Sequence, residues 1–265
     1  MSVLLQISDP HFGTEQPPVL EALVALALQQ RPDLVVLSGD ITQRARPAQF
    51  RAARTFTDRL GAPVVAVPGN HDIPLFDLWA RLRRPYARQV AAFGAELEPV
   101  HDGPDLLVVC VNTTRAWRHK HGEVSPAQIE RVARRLGAGR TGQLRVVVVH
   151  QPAAVVRAED APHLLRGHAA ALHRWAEAGA DVVMGGHIHL PYVKAVPGLA
   201  RPMWVVQAGT AVSSRVRPGV PNSVNLLRWG EDSSPGGCLI EQWDYSAADQ
   251  AFARVRVTSA WPARA

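Results

Sequence analysis

Cysteine, lysine and long apolar runs are scarce in this 265-residue chain, and the first and last of these scarcities each close off a class of protein. Cys110 and Cys238 are its only cysteines, too few for a disulfide framework. Both stand in apolar, strand-like surroundings, where a buried reduced thiol is the usual state. No apolar stretch approaches the length that crosses a bilayer; the longest are short runs such as Leu144 to Val149. The opening Met1-Ser-Val-Leu-Leu-Gln-Ile has neither the basic leader nor the cleavage site of a signal peptide, so a soluble, cytoplasmic protein is expected. Lys120 and Lys194 are the only lysines, and the formal net charge of +6 therefore rests on arginine. Such a surface suits anionic partners, although scattered, solvated arginines account for it equally well.

What is present is a globular composition, with 47% hydrophobic and 20% charged residues, enough to fold and bury a substantial core. The first seventy residues alternate strand and helix. Val3 to Ile7 stops at Ser8-Asp9-Pro10-His11, Leu34 to Leu37 at Gly39-Asp40, and Val64 to Val67 at Pro68-Gly69-Asn70-His71-Asp72. Helices are expected between them, one with Leu20, Leu23, Val24 and Ala27 on its inner face, the other over about Ala48 to Leu60. Further on, Leu106 to Val111, Leu144 to Val149 and Asp181 to Met184 read as strands. Ser125, Pro126 and Gln128 open a helix running to Leu136 with a capping box, and a last helix is expected over Leu164 to Glu177. After residue 200 only strands remain: Met203 to Gln207, Ser223 to Leu227, Leu239 to Trp243 and Phe252 to Val257, with Asp232-Ser-Ser-Pro-Gly-Gly as a hairpin loop. Strands apolar at nearly every position imply a sheet covered on both faces. No internal repeat and no long linker interrupts residues 1–265, which read as one domain.

Nearly every strand end in this pattern carries a metal-binding side chain. Asp9 and His11, two apart at the end of a strand, point the same way. Asp40 follows Asp9 by 31 residues and Asn70 follows Asp40 by 30, each interval about one strand-helix-strand unit, so the groups return to one sheet edge. His150 ends another strand, and Gly186-His187-Ile188-His189 follows the next. Sites in open α/β sheets form beyond the carboxyl ends of the strands. Two carboxylates, an amide oxygen and four imidazoles are too many for one ion, but suit a pair about 3.5–4 Å apart sharing a carboxylate. A mixed imidazole and carboxylate shell favours Mn, Fe or Zn over Mg or Ca.

These blocks, Asp9-x-His11, Gly39-Asp40, Gly69-Asn70-His71-Asp72, His150 and Gly186-His187-x-His189, resemble in number and order those of the calcineurin-like metallophosphoesterases. They span residues 9–189, and Ala208-Gly-Thr looks like the family's later segment. The resemblance implies an αββα sandwich, two packed mixed β-sheets flanked by helices, with the C-terminal strands 203–258 completing the second sheet. It also implies two divalent transition metals, Mn2+ or Fe or Zn, with Mn2+ the natural choice for assays. Asp9, His11 and His189 would hold one ion and Asn70, His150 and His187 the other, with Asp40 bridging. A bridging hydroxide would be the nucleophile, and His71 would meet the phosphate and protonate the leaving oxygen. Asp72 is expected to orient His71 or another histidine. His101, His163, His168 and His173 read as loop or helix-surface residues.

The substrate is less legible. Serine/threonine phosphatases of this superfamily carry Gly-Asp-x-Val-Asp-Arg-Gly, whereas this chain reads Gly39-Asp40-Ile41-Thr42-Gln43-Arg44. Length, spacing and the Gly69-Asn70-His71-Asp72 form look more like the bacterial class III cyclic-nucleotide phosphodiesterases. A small phosphodiester is therefore expected, a 3',5'-cyclic nucleotide foremost, with no stable nucleic-acid complex. The alternatives are a peripheral-membrane hydrolase of lipid-precursor pyrophosphates and a nuclease. Arg115, Trp117, Arg118 and His119, in a cationic loop, and Arg215, with Arg217 beside it, are candidates for gripping substrate. Leu75 to Arg84 forms an apolar helical face among arginines, to be packed as a cap or laid on an anionic membrane. The oligomeric state is left open, a homodimer included.

Overall fold

The computed structural model describes residues 1–230 and 237–262, so the loop expected at Asp232 to Gly237 lies outside the described residues except for Gly237. In chain order the elements begin β1 (Ser2–Ile7), α1 (Pro17–Gln30), β2 (Leu34–Ser38), α2 (Pro47–Thr57) and β3 (Val64–Val67). Two short helices follow, α3 (Leu78–Arg83) and α4 (Ala87–Phe93), then β4 (Val100–Asp102), β5 (Leu106–Cys110), α5 (Pro126–Gly137) and β6 (Leu144–Val148). The chain continues with α6 (His168–Glu177), β7 (Val182–Gly185), β8 (Tyr192–Ala195), β9 (Trp204–Gln207), β10 (Ser223–Trp229), β11 (Cys238–Ser246) and β12 (Ala251–Ala260).

The strands form two six-stranded sheets, β12-β11-β10-β1-β2-β3 and β4-β5-β6-β7-β9-β8. In the first, β1, β2 and β3 run parallel and the three C-terminal strands antiparallel. In the second, β5, β6, β7 and β9 are parallel, with β4 and β8 as antiparallel edges. The sequence expectation for residues 203–258 needs correction here. Only β9 enters the second sheet; β10, β11 and β12 extend the first beside β1. Strand residues of Val3 to Ile7 alternate faces: Leu5 and Ile7 pack on α1 and α2, while Leu4 meets Val108, Val146 and Met184 of the facing sheet. A third apolar layer joins the second sheet to α5 and α6 around the fully buried Trp175. Burial on both faces explains why these strands read as unbroken Val and Leu runs.

Local signals behave as chemistry dictates. The Ser125 hydroxyl accepts from the Gln128 backbone N–H at 3.2 Å, and the Gln128 carboxamide accepts from the Ser125 N–H at 3.1 Å, closing the capping box of α5. The helix expected from Leu164 begins four residues later, because Ala158 to His163 form a separate 3-10 turn. Cys110 and Cys238 are both buried and free. Among the described residues, no helix is long and apolar enough to cross a membrane.

A candidate metal centre at the strand ends

The parallel strands of both sheets end on the same side, and seven side chains meet there. Asp9 and His11 leave β1, Asp40 leaves β2, Asn70 follows β3, His150 follows β6, and His187 and His189 follow β7. His189 Nε2 lies 3.3 Å from Asp9 Oδ1 and 3.2 Å from His11 Nε2. His150 Nε2 lies 3.3 Å from Asp40 Oδ1, and His11 Nε2 lies 3.9 Å from Asp40 Oδ2. Ligand atoms of Asp9, His11 and His189 form one cluster, and those of Asp40, His150 and His187 another, each within 4.8 Å. Asp40 also clusters with His11 and His71, which places its carboxylate between the two groups.

The backbone is bent to make this possible. Among the described residues eight non-glycine residues have positive φ, and five of them are Asp9, His11, Asp40, His187 and His189. Each such left-handed residue costs roughly 1–2 kcal/mol, a cost that persists where surrounding structure enforces it. Glycines make room: a Cβ at Gly69 would sit 2.2 Å from Asp40 Oδ1, and one at Gly186 would sit 1.9 Å from Ser8 Oγ and 2.5 Å from Asp9 Oδ2. Bulk at either position would push a carboxylate out of place.

Asp9, His150 and His189 are held by their outward atoms. Asp9 Oδ2 accepts from Ser8 Oγ at 2.6 Å and from the His187 N–H at 2.9 Å. His150 Nδ1 faces the Ser38 carbonyl at 2.9 Å, and His189 Nδ1 faces the Arg215 carbonyl at 2.6 Å. Left without any hydrogen-bond partner are Asp9 Oδ1, Asn70 Oδ1, His150 Nε2 and His187 Nδ1, all buried. An unpaired buried polar atom is costly; three of these belong to the clusters above and Asn70 borders the recess beside His71, which makes the chemistry of a divalent cation site. The donor set fits two such ions.

Electrostatics within the protein tell the same story. Burial alone would raise Asp9, but His189 and His150 override it and hold its carboxyl down to about 2. Asp40 is likewise lowered, as His150, His71 and His11 outweigh its desolvation. His11 and His187 are pushed down to about 3 by burial, so both offer neutral ring nitrogens. Desolvation opposes the charge on His150, yet Asp40 draws it up to about 9.

Asp72 does not orient His71, contrary to expectation. Its carboxylate accepts from the backbone N–H groups of Ile41, Thr42 and Gly69 at 2.8–2.9 Å and clamps the Asp40 and Gly69 loops together. His71 is positioned instead by the Gln43 carbonyl, 3.0 Å from Nδ1, which leaves Nε2 facing the centre. Arg215 reaches the same spot: its Nη1 donates to Gln43 Oε1 at 2.8 Å and lies 3.2 Å from His71 Nε2. His119 lines a small recess with His71, Gln43, Arg44 and Asn70. Arg115 and Arg118 are not gathered there. Arg115 donates to Gln128 and the carbonyls of Asn112 and Thr114, and Arg118 pairs with Glu123 at 2.8 Å. Trp117 is 75% exposed beside a different groove, and Arg217 is paired with Glu159 and Asp160. Of the stretch Leu75 to Arg84, Leu75 borders the recess beside His71, while α3 buries none of its residues.

Two contributors escaped the sequence reading. Gln43 stands inside the Asp40 block but carries no metal-binding signature. His163, read as a surface residue, turns its Nδ1 to within 3.1 Å of His187 Nε2. Nothing in its local pattern marks it, because the contact depends on how the 3-10 turn docks.

The fold and site define a dinuclear metallophosphoesterase, a hydrolase. The calcineurin-like phosphoesterase family profile matches residues 2–191, and the chain belongs to that family. A probable cyclic nucleotide phosphodiesterase of Synechococcus is 24% identical over 72% of this chain and 74% of its own length. A cAMP/cGMP dual specificity phosphodiesterase of Mycobacterium tuberculosis is 28% identical over 71% of this chain and 61% of its own length. A dimetal phosphatase from Danio rerio shares the fold with a TM-score of 0.70 at 14% identity, over 99% of each chain.

Proposed function

We propose that the protein is a metal-dependent phosphodiesterase acting on a small phosphodiester, foremost a 3',5'-cyclic nucleotide. The observation that carries this reading is the clustering of Asp9, His11 and His189 and of Asp40, His150 and His187, in which Asp9, His150 and His187 keep a buried donor atom open. Asp9, His11 and His189 would hold one divalent ion and Asn70, His150 and His187 the second, with Asp40 shared. Bound there, such a pair would neutralise phosphoryl oxygens and lower the pKa of water for in-line attack.

The chain's own residues supply the rest. The Nδ1–H of His71 donates to the Gln43 carbonyl, so Nε2 is the atom turned to the substrate, and from the doubly protonated ring its N–H would pass a proton to the leaving alkoxide. Arg215, 3.2 Å from that nitrogen, offers a guanidinium to a phosphoryl oxygen. His119, across the recess from His71, would border the sugar or base. The two relatives named as cyclic nucleotide phosphodiesterases support the substrate class. The test is a panel of cyclic nucleotides, dinucleotides, single-stranded DNA, phosphomonoesters and UDP-linked lipids assayed with Mn2+. Highest kcat/KM on a cyclic nucleotide is expected; a clear preference for any other class would replace this reading.

A second reading is favoured by one surface. Phe76, Leu78, Trp79, Leu82 and Trp117 are 60–81% exposed, with Arg83 and Arg84 exposed among them. Apolar side chains interspersed with arginine suit an anionic lipid surface, and with it a lipid-precursor pyrophosphate. Co-sedimentation with phosphatidylglycerol vesicles, lost in Trp79→Ser/Leu82→Ser, together with turnover of the lipid member of the panel, would favour it.

A further inference from the structure

The histidines at the centre are steadied in unequal ways. His150, His189 and His71 each set one ring nitrogen against a backbone carbonyl, of Ser38, Arg215 and Gln43. A carbonyl only accepts, so it fixes the tautomer: Nδ1 carries the proton and Nε2 is left for the site. His187 is the reverse case. Its open, buried atom is Nδ1, and its Nε2 faces the Nδ1 of another side chain, His163, at 3.1 Å.

We infer that His163 is a positioning residue that holds His187 in the tautomer whose Nδ1 lone pair points at the cation. The inference rests on the dinuclear reading above. For Nδ1 to bind a cation it must be unprotonated, so the proton of neutral His187 sits on Nε2 and donates to His163 Nδ1. Without that acceptor the opposite tautomer, with an N–H aimed into the site, is no longer disfavoured, and the second ion meets a donor rather than a lone pair. Ligating histidines commonly rely on such a partner, and its loss typically weakens metal binding 10–100-fold.

The surroundings hold His163 to this task. It ends the 3-10 turn Ala158–His163, which Arg217 pins by donating to Asp160 at 2.9 Å and Glu159 at 2.8 Å. The same loop presents the Arg215 carbonyl to His189. One segment, 215–217, therefore backs both histidines of Gly186-His187-x-His189: one directly, the other through the turn and His163. The two rings lie 5.2 Å apart between centroids and are tilted 58° to one another.

The test compares His163→Asn, whose Oδ1 occupies the Nδ1 position as an acceptor, with His163→Leu, which has a similar shape and no acceptor. Titration of the full chain with Mn2+ by calorimetry is expected to show two sites in wild type. In His163→Leu one of the two should weaken at least tenfold, and His163→Asn should recover most of the loss. The 15N shifts of His187 in the metal-stripped protein should report Nε2–H in wild type and Asn, and a tautomer mixture in Leu. Should His163→Leu bind both ions as wild type does, or Asn fall as far as Leu, the inference is overturned while the dinuclear reading stands. Wild type binding fewer than two ions would instead remove the reading beneath it.

Discussion

The two ends of the parallel strands treat their carboxylates in opposite ways. At the amino ends, Asp33 accepts from the Val3 N–H at 2.8 Å, and Asp181 accepts from the Arg145 N–H at 2.9 Å and from Arg201 at 2.8 Å. These acids are consumed by structure. At the carboxyl ends, Asp9 keeps Oδ1 without a partner and Asp40 is ringed by imidazoles, on a backbone forced into left-handed conformations. The electrostatics diverge to match: burial raises Asp181 to about 6, whereas neighbouring histidines hold Asp9 near 2 despite its burial. One end is satisfied and stable; the other is left open and strained, which is where function is stored.

The strongest way to break this contrast is to remove the Asp40 carboxylate. Asp40→Ala, and equally Asn70→Ala, should lower hydrolysis of bis(p-nitrophenyl) phosphate with Mn2+ below detection in purified, folded protein. Unchanged turnover in Asp40→Ala would undo the assignment of the centre. Next in size, His71→Ala should keep its metal content by elemental analysis while the rate falls about 10²–10⁴-fold for an alkyl leaving group. The loss should be smaller for p-nitrophenolate, which needs little protonation, and equal losses would point to an electrostatic role.

Asp181 sharpens the other side. Its pKa rises from 3.8 in the unfolded chain to about 6 in the native protein, so the native state favours the protonated acid. That stabilisation is present below pH 4 and is lost as pH climbs through 6, a change of at most about 3 kcal/mol. Urea denaturation at pH 4 and pH 7 should show Asp181→Asn gaining relative to wild type as pH rises, with metal content unchanged. A parallel pH dependence of the two proteins would contradict the burial-raised pKa of Asp181. Smallest of all, Arg118→Met should leave kcat/KM essentially unchanged, because the Arg118 guanidinium is committed to Glu123. A larger loss would return Arg118 to the substrate site.

Much of this was readable beforehand, and the reasons are local. Strands buried on both faces announce themselves as Val and Leu runs, and Ser125-Pro126-x-Gln128 declares a helix start by its hydrogen-bond chemistry. The donors Asp9, His11, Asp40, Asn70, His150, His187 and His189 stand at strand ends, so topology alone returns them to one edge. The misreadings share a different cause. Asp72 stands next to His71 in sequence, yet it serves the backbone N–H groups of Gly69 and, some thirty residues away, of Ile41 and Thr42. For Leu75 to Arg84 the sequence left packing and a membrane face both open, and Leu78, Trp79 and Leu82 prove largely exposed.

The sequence by itself determined which donors are available and that they end strands, because period and turn chemistry are encoded residue by residue. Tertiary structure alone decided which sheet β10 to β12 would join, which arginines face the centre and that His163 backs His187. Those outcomes depend on the docking of segments far apart along the chain, where the hydrophobic effect rewards burial without specifying the partner.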